Sequence, residues 1–274
     1  MQPDLNNRDI KFIKMNTVIV PVDFSETSLN AARYTGQLLS GHQGIKMILF
    51  NVVEKEEEAE VSKEYLENLK TELEKNGIMI TALTEFGDDF IEKLEKLARN
   101  QKADLIIMGI NGRSPLHHAI AGSNTFKIIG KKVCPVMIIP PETKYTAMKN
   151  VLLTSDFRDV ETTTPSEPIK DVLKIFNPNL HVINVDSNHY VALTEEVQEE
   201  KAKLSDMLSE FSPEFYFLGW YDVTEAINQF ASDKNIDLII AIPKNHSLIE
   251  KMFKGSNTKK LAYQSPVPVL AMHE

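Results

Sequence analysis

The chain of 274 residues is long enough for two domains of average size, and it carries a formal net charge of −9 with a pI near 5.4. That acidity opposes non-specific binding to nucleic acid or to anionic membranes. No run of about eighteen apolar residues is present, and the polar N-terminus matches neither a secretory signal nor a transit peptide. The single cysteine, Cys134, lies in an apolar run, which suits a buried thiol in a reducing compartment. We therefore expect a soluble cytoplasmic protein.

The first part of the chain alternates predicted strands with predicted helices. Residues 17–22 form a β-branched run typical of a buried strand, and residues 25–28 offer N-cap side chains to a helix over 29–39. Residues 46–53 predict a second strand, and the acidic stretch after it predicts a helix that ends at Gly77. The apolar face of that helix is predicted to consist of Val61, Tyr65, Leu66, Leu69 and Leu73, and a strand over 78–84 and a helix over 88–100 are predicted next.

Residues 104–140 predict a strand, a glycine-bearing loop, a helix and a second strand. The apolar run over 105–108 leads into Gly109, and Gly112, Gly122 and Ser123 follow. Glycine permits positive φ and leaves room for a ligand, while N–H groups at the start of a helix attract anions. This stretch therefore predicts half of a nucleotide-type α/β crevice.

The chain repeats itself at a shift of 133 residues. Matches at this one offset occur in four separate segments, which is hard to obtain by chance, so we infer two copies of one α/β unit joined by a linker over 140–149. The matches are Asp23-Phe24 with Asp156-Phe157, Asn51-Val52 with Asn184-Val185, residues 104–107 with 237–240, and residues 122–125 with 255–258.

The element order in each copy is β-α-β-α-β-α-β-α-β, which predicts a parallel sheet with its ligand crevice beyond the carboxyl ends of the strands. The predicted fold class is α/β, with two tandem Rossmann-like (flavodoxin-like) units, each a five-stranded mainly parallel sheet with helices on both faces. The first domain is predicted to span residues 1–141 and the second residues 149–274. Asp23, Val52 and Gly109 fall at or near such strand ends.

The second copy departs from the first around its crevice. Pro165 and Pro168 predict a disrupted first helix, with a short helix starting near Ile169. At the constant offset, Gly109 becomes Ile242 and Gly112 becomes Asn245, and isoleucine both resists positive φ and adds bulk. The second crevice is therefore predicted to be degraded.

The spacing Gly109-x2-Gly112-x9-Gly122-Ser123, together with PVDFSETS over residues 21–28, resembles the universal stress protein family in its tandem two-domain form. The resemblance covers the chain from about Thr17 onward and is stronger in the first half. It implies ATP binding in the first crevice. It also implies that the last strands of the two units, residues 136–139 and 267–271, pair edge to edge in an intramolecular pseudo-dimer; a further homodimer of whole chains stays open.

The resemblance also implies roles for individual residues. Asp23 would lie beside the ribose and phosphates and is a candidate ligand for the magnesium ion of Mg-ATP; a helix-capping role is the alternative. Val52 would hold adenine through its backbone, with Met108 against the base. Asn111 stands where some ATP-binding members have histidine. The remaining implied nucleotide-binding residues are Pro21 at the end of the first strand, Gly109 and Gly112 along the ribose and phosphates, and Gly122, Ser123 and Asn124 at the phosphate-gripping helix start.

Two functions remain open at this point. The first is a stress-response regulator that binds ATP in the first crevice and signals through its conformation or an unknown protein partner. The second is a nucleotide-independent interaction module with both crevices empty; a small-molecule hydrolase is a third and weaker alternative. The sequence shows no dedicated base, arginine finger or Walker lysine, so at most slow ATP hydrolysis is expected.

Overall fold

The computed structural model describes residues 15–42, 44–110, 123–186, 193–242 and 265–273. In the first half the elements alternate as the sequence predicts. They are β1 (Thr17–Pro21), α1 (Glu26–Leu38), β2 (Lys46–Val53), α2 (Ala59–Glu74), β3 (Met79–Phe86), α3 (Phe90–Gln101), β4 (Leu105–Gly109), α4 (Ser123–Gly130) and β5 (Val136–Ile139), with a short 3-10 turn at Glu56–Glu58 before α2.

The second half repeats this alternation with a divided first helix. Its elements are β6 (Asn150–Thr154), α5 (Val160–Thr163), α6 (Ser166–Phe176), β7 (Asn179–Asp186), α7 (Glu195–Met207), β8 (Glu214–Gly219), α8 (Val223–Asp233), β9 (Leu238–Ala241) and β10 (Val269–Ala271), with a 3-10 turn at Ser209–Phe211. Among the described residues, no helix is long and apolar enough to cross a membrane.

Within the described ranges, the ten strands form one sheet in the order β3-β2-β1-β4-β5-β10-β9-β6-β7-β8. Neighbouring strands within each half are parallel, whereas β5 and β10 pair antiparallel, with Met137 opposite Leu270. The predicted α/β fold of two tandem units and the predicted edge-to-edge pairing are therefore confirmed. The antiparallel pair covers the edges that each five-stranded sheet would otherwise expose.

The described residues form three apolar clusters, which cover the two faces of the sheet. One cluster is continuous across both halves, since it contains Leu49 of the first half and Leu270 of the second. It lies beneath α1, α2, α6 and α7. On the opposite face each half has its own cluster, one against α3 and α4 and the other against α8. Inner strands such as β1, β4 and β9 are buried on both faces, which explains why their sequences are continuous apolar runs rather than alternating patterns.

The internal repeat extends to individual hydrogen bonds. Asp104 Oδ2 accepts from the N–H groups of residues 16 and 17 at 2.7 and 2.9 Å. Asp237 Oδ2 accepts from those of residues 149 and 150 at 2.8 and 2.9 Å. In each unit, an aspartate just before the fourth strand thus fixes the start of the first strand.

The segment between the two units packs against α1. Asn30 Nδ2 donates to the carbonyl oxygen of Thr143 at 3.1 Å, and the rings of Tyr34 and Tyr145 meet edge to face at 5.5 Å between centroids. The predicted domain limits at 141 and 149 remain a prediction, although β5 ends at Ile139 and β6 begins at Asn150.

Two local expectations are wrong. Helix α2 buries Leu66, Leu69 and Leu73 as predicted, but Val61 and Tyr65 are 53% and 58% exposed because they lie on the flank of the leucine stripe. Helix α6 begins at Ser166, before Pro168, because the first turn of a helix does not need that N–H group.

Candidate functional site

The candidate crevice lies where strand order reverses in the first unit. From β1 the chain passes to β2 and β3 on one side, and it later returns to β4 and β5 on the other. The ends of β1 and β2 stay joined beyond the ladder, since the Val22 N–H donates to the carbonyl oxygen of Phe50 at 2.8 Å. The carboxyl ends of β1, β2 and β4 therefore meet at one point, which is the usual ligand position in open α/β sheets.

Pro21 and Asp23 stand at the end of β1. Pro21 is buried, whereas Asp23 is exposed. Asp23 Oδ1 accepts from the Ser25 N–H at 3.0 Å and from Ser25 Oγ at 2.5 Å, and Ser25 in turn caps α1 by accepting from the Ser28 N–H. Asp23 does not itself cap the helix; it holds the residue that does.

The Asp23 carboxyl is stabilised in its charged form. Desolvation by the surrounding protein raises the pKa of Asp23. Hydrogen bonds from Ser25, from Ser28 and from backbone N–H groups lower it and together outweigh the desolvation, so the pKa of Asp23 is below its ordinary value. The crevice therefore carries a fixed negative charge at neutral pH. Such a group suits hydroxyl donors or a cation and repels bare phosphate.

Phe24 follows Asp23 in a left-handed backbone conformation with φ 62°, and its counterpart Phe157 has φ 52°. An aromatic residue rarely adopts this conformation. The residue after the aspartate thus has the same backbone conformation in both units, and in each unit the aspartate accepts from the N–H two residues on, here Ser25 and there Arg158 at 3.2 Å.

Gly109 ends β4 directly beneath the first turn of α1. A Cβ atom at this position would lie 2.2 Å from the carbonyl oxygen of Thr27 and 2.6 Å from its carbonyl carbon. Positive φ, which the sequence suggests as the reason for this glycine, is not adopted there. Gly109 is required because helix and strand backbones approach each other closely.

The second unit solves the same contact differently. Ile242 occupies the Gly109 position and is 4% exposed, in the same cluster as Phe157 and Val160. In this unit the first helix is divided into α5 and α6, with Pro165 between them. The buried Glu200 of α7 accepts from the Val160 N–H at 2.7 Å and pairs with Lys203 at 2.6 Å.

Val52 and Met108 lie on the face covered by α3 and α4. Met108 is 7% exposed within the cluster on that face, and the partly buried Val52 packs against the same cluster. Both are one residue from a strand end that borders the crevice. The structure thus brings Pro21, Asp23, Val52, Met108 and Gly109 to the ends of three neighbouring strands.

Comparison with known proteins decides the family. Residues 15–140 and 180–273 match the model of the universal stress protein family. The chain belongs to the universal stress protein family. The unmatched stretch between the two segments contains β6, α5 and α6, where the second unit departs from the first.

Relatives of this universal stress protein cover one unit or both. Universal stress protein Sll1654 of Synechocystis sp. is 27% identical over 139 residues, which are 47% of this chain and 87% of that protein. Universal stress protein MJ0577 of Methanocaldococcus jannaschii is 34% identical over 80 residues, 29% of this chain and 49% of that protein. A universal stress protein of Archaeoglobus fulgidus has a TM-score of 0.72 at 19% identity, covering 96% of this chain and 97% of that one. The fold of that solved structure therefore extends over both units.

Part of the family motif falls outside the described residues, namely Asn111, Gly112 and Gly122. Helix α4 begins at Ser123, and Asn124 is exposed in its first turn, where N–H groups lack intrahelical partners. Among the described residues no cluster of three or more His, Cys, Asp or Glu side chains could hold a metal ion. The binding roles of the ten predicted site residues remain predictions.

Asn51 is a positioning residue that the sequence analysis did not single out. Its Nδ2 donates to the carbonyl oxygen of Val22 at 2.8 Å and so ties the ends of β1 and β2 together; Asn184 does the same to Ser155 at 2.8 Å. The match of Asn51 with Asn184 in the internal repeat could have indicated this role. A buried amide present in both copies suggests that each copy makes the same hydrogen bond.

Proposed function

We propose that the crevice of the first unit binds an adenine nucleotide, ATP with Mg²⁺ above all, and that binding controls association with a protein partner. The observation that carries the proposal is the convergence of Asp23, Val52 and Gly109 at the point where strand order reverses. Membership of a stress-response family supports a regulatory role. A cytoplasmic location fits a chain whose single cysteine, Cys134, is buried as a free thiol.

The chemistry of the residues fits this ligand. The ionised Asp23 would accept hydrogen bonds from ribose hydroxyls or contribute one ligand to Mg²⁺, an ion that takes few carboxylates and fills its other positions with phosphate and water. Val52 and Met108 would offer apolar contact to the base. The start of α4 would supply N–H groups to the phosphates.

The second unit is not expected to share this activity. Ile242 and Phe157 are buried where the first unit has Gly109 and the partly exposed Phe24. We therefore propose one nucleotide per chain.

A nucleotide-independent interaction module is the second candidate, and two contacts favour it. The approach of Thr27 accounts for Gly109 without any ligand, and the cap at Ser25 accounts for the Asp23 side chain. Under this alternative both residues serve only the turn between β1 and α1.

Matched variants of the two units separate these candidates. In Asp23→Asn and in Asp156→Asn the amide oxygen still accepts from the N–H two residues on, so the turns persist while the charge is lost. Calorimetric titration with Mg-ATP should show that Asp23→Asn weakens binding by about tenfold or more, while Asp156→Asn binds as the wild type does. Equal affinities in both variants would contradict the assigned site, and absence of wild-type binding at about 1 mM ATP would favour the second candidate.

A further inference from the structure

Three large apolar side chains are exposed at one corner of the first unit. Val61 and Tyr65 lie one turn apart near the start of α2, and Phe86, the last residue of β3, is 57% exposed. Helix α2 connects β2 to β3, so its N-terminal turns lie at the carboxyl end of the sheet, where β3 also ends. Ile80 and Ala82 of β3 pack on the α2 side, and strand alternation therefore puts Phe86 on that side as well. We call these three residues, with the glutamates around them, the α2 corner.

Val61 and Tyr65 are not needed to pack α2 on the sheet. Leu66, Leu69 and Leu73 supply the packing of α2 on the sheet, and Tyr65 meets the ring of Phe24 at 5.7 Å between centroids. Large apolar side chains exposed on the same face and at the same end of a sheet are a feature of interaction surfaces.

The second unit serves as an internal comparison. Its helix α7, described over its whole length, exposes no large apolar residue. Phe157, the counterpart of Phe24, is 2% exposed and packs on Phe215 and Phe217 at 6.1 and 5.1 Å between centroids. Ala82 and Thr84 take those two positions in the first unit, so its corner is less filled and leaves Phe24 partly exposed.

The apolar corner is surrounded by negative charge. Residues 54–67 contain seven glutamates and two lysines. Lys55 pairs with Glu58 at 3.7 Å and Lys63 with Glu60 at 2.7 Å. Within the described part of the chain, four further exposed carboxylates at this corner make no ion pair, namely Glu54, Glu56, Glu57 and Glu64.

We propose that the α2 corner binds a basic amphipathic segment of a partner protein. Apolar side chains of that segment would cover Val61, Tyr65 and Phe86, while its lysines and arginines would face the four unpaired carboxylates. A second copy of this chain has a net charge of −9 and would be repelled by the carboxylates of the α2 corner. Nucleic acid and anionic membranes are also negatively charged and would be repelled in the same way.

The α2 corner adjoins the candidate crevice through Phe24, which contacts Tyr65 and directly follows Asp23. The peptide-binding role of the α2 corner rests on one part of the proposed function, the association with a protein partner, and it specifies the chemistry of that partner. It does not require nucleotide binding. It is therefore tested without nucleotide, so that its failure and a failure to bind ATP are separate results.

The probe is a fluorescein-labelled helical peptide of leucine and lysine, compared with a leucine–glutamate peptide and a serine–lysine peptide. Fluorescence anisotropy should show micromolar binding of the leucine–lysine peptide and at least about tenfold weaker binding of the other two. Binding should weaken as NaCl rises from about 50 to about 200 mM. The double variant Val61→Ser/Tyr65→Ser should weaken it by about tenfold or more, and circular dichroism checks that this variant is folded.

Two matched controls test exposed apolar residues elsewhere. Met79 is 64% exposed at the opposite end of β3, and Tyr221 is 85% exposed beyond β8, at the far edge of the sheet. Met79→Ser and Tyr221→Ser should bind the peptide as the wild type does. No binding at about 1 mM peptide, equal binding by the double variant, or loss in Tyr221→Ser would overturn the proposal. Ultracentrifugation that shows self-association abolished by Val61→Ser/Tyr65→Ser would overturn it too, by assigning the α2 corner to a second copy.

Discussion

Gly109 of β4 and Thr27 of α1 lie so close that a Cβ atom on the glycine would be 2.2 Å from the Thr27 carbonyl oxygen. The oxygen belongs to the backbone, so the contact is relieved only if the backbone of α1 or of β4 moves. Ser25, which caps the start of α1, donates hydrogen bonds from its N–H and its Oγ to Asp23 Oδ1. The glycine of the family motif therefore supports the candidate site through the helix that organises Asp23.

Gly109→Ala should destabilise the protein by overpacking, by about 1–3 kcal/mol, and lower the midpoint of urea unfolding. Ile242→Ala, at the same position of the second unit, should destabilise for the opposite reason, since it leaves a cavity that costs about 2–5 kcal/mol. If Gly109→Ala unfolds at the wild-type urea concentration, the close approach of Thr27 does not hold in solution.

The strand starts offer a test of the repeat. Asp104→Ala and Asp237→Ala each remove a carboxylate that accepts two N–H groups of the first strand of its unit. Each should cost about 1–2 kcal/mol, and the double variant should lose about the sum because the sites are far apart. Chemical denaturation of the four proteins measures this; a much larger loss in one unit would show that the two bonds are not equivalent.

Features of the fold and site that depend on neighbouring residues can be predicted from the sequence, whereas contacts between residues far apart in the chain cannot. The β2 and β5 bounds follow from their own apolar runs, and the edge-to-edge pairing of β5 with β10 follows from the family resemblance, whereas its antiparallel direction was not predicted. Helical spacing alone cannot tell which flank of α2 meets the sheet, so Val61 was placed wrongly. The reason for Gly109 is a contact with Thr27, far earlier in the chain, which no local pattern reveals.

Stability should fall on mild acidification because of His181. This residue is 7% exposed in β7, where the first unit has Ile48. Burial lowers the pKa of His181; Glu214, 3.6 Å from Nδ1, raises it, and Lys234 lowers it. Because the net folded pKa lies below the unfolded value of about 6.5, the unfolded chain binds a proton first. The stability is thus fully present above about pH 6.5 and is lost as pH falls towards the folded pKa.

The melting temperature of the wild type should therefore drop between about pH 7 and pH 5 by more than that of His181→Ile, which introduces the residue of the first unit. Parallel thermal unfolding curves at both pH values measure the difference. An equal drop in the two proteins would exclude His181 as a source of the pH dependence.

We propose that the first crevice of this tandem universal stress protein binds an adenine nucleotide and that the second does not. Calorimetric titration of Mg-ATP into the full chain, freed of any co-purified nucleotide, measures this directly. We predict saturable binding with one ATP per chain, because Ile242 and the buried Phe157 fill the second unit. Two bound nucleotides per chain, or no binding at about 1 mM ATP, would contradict the account.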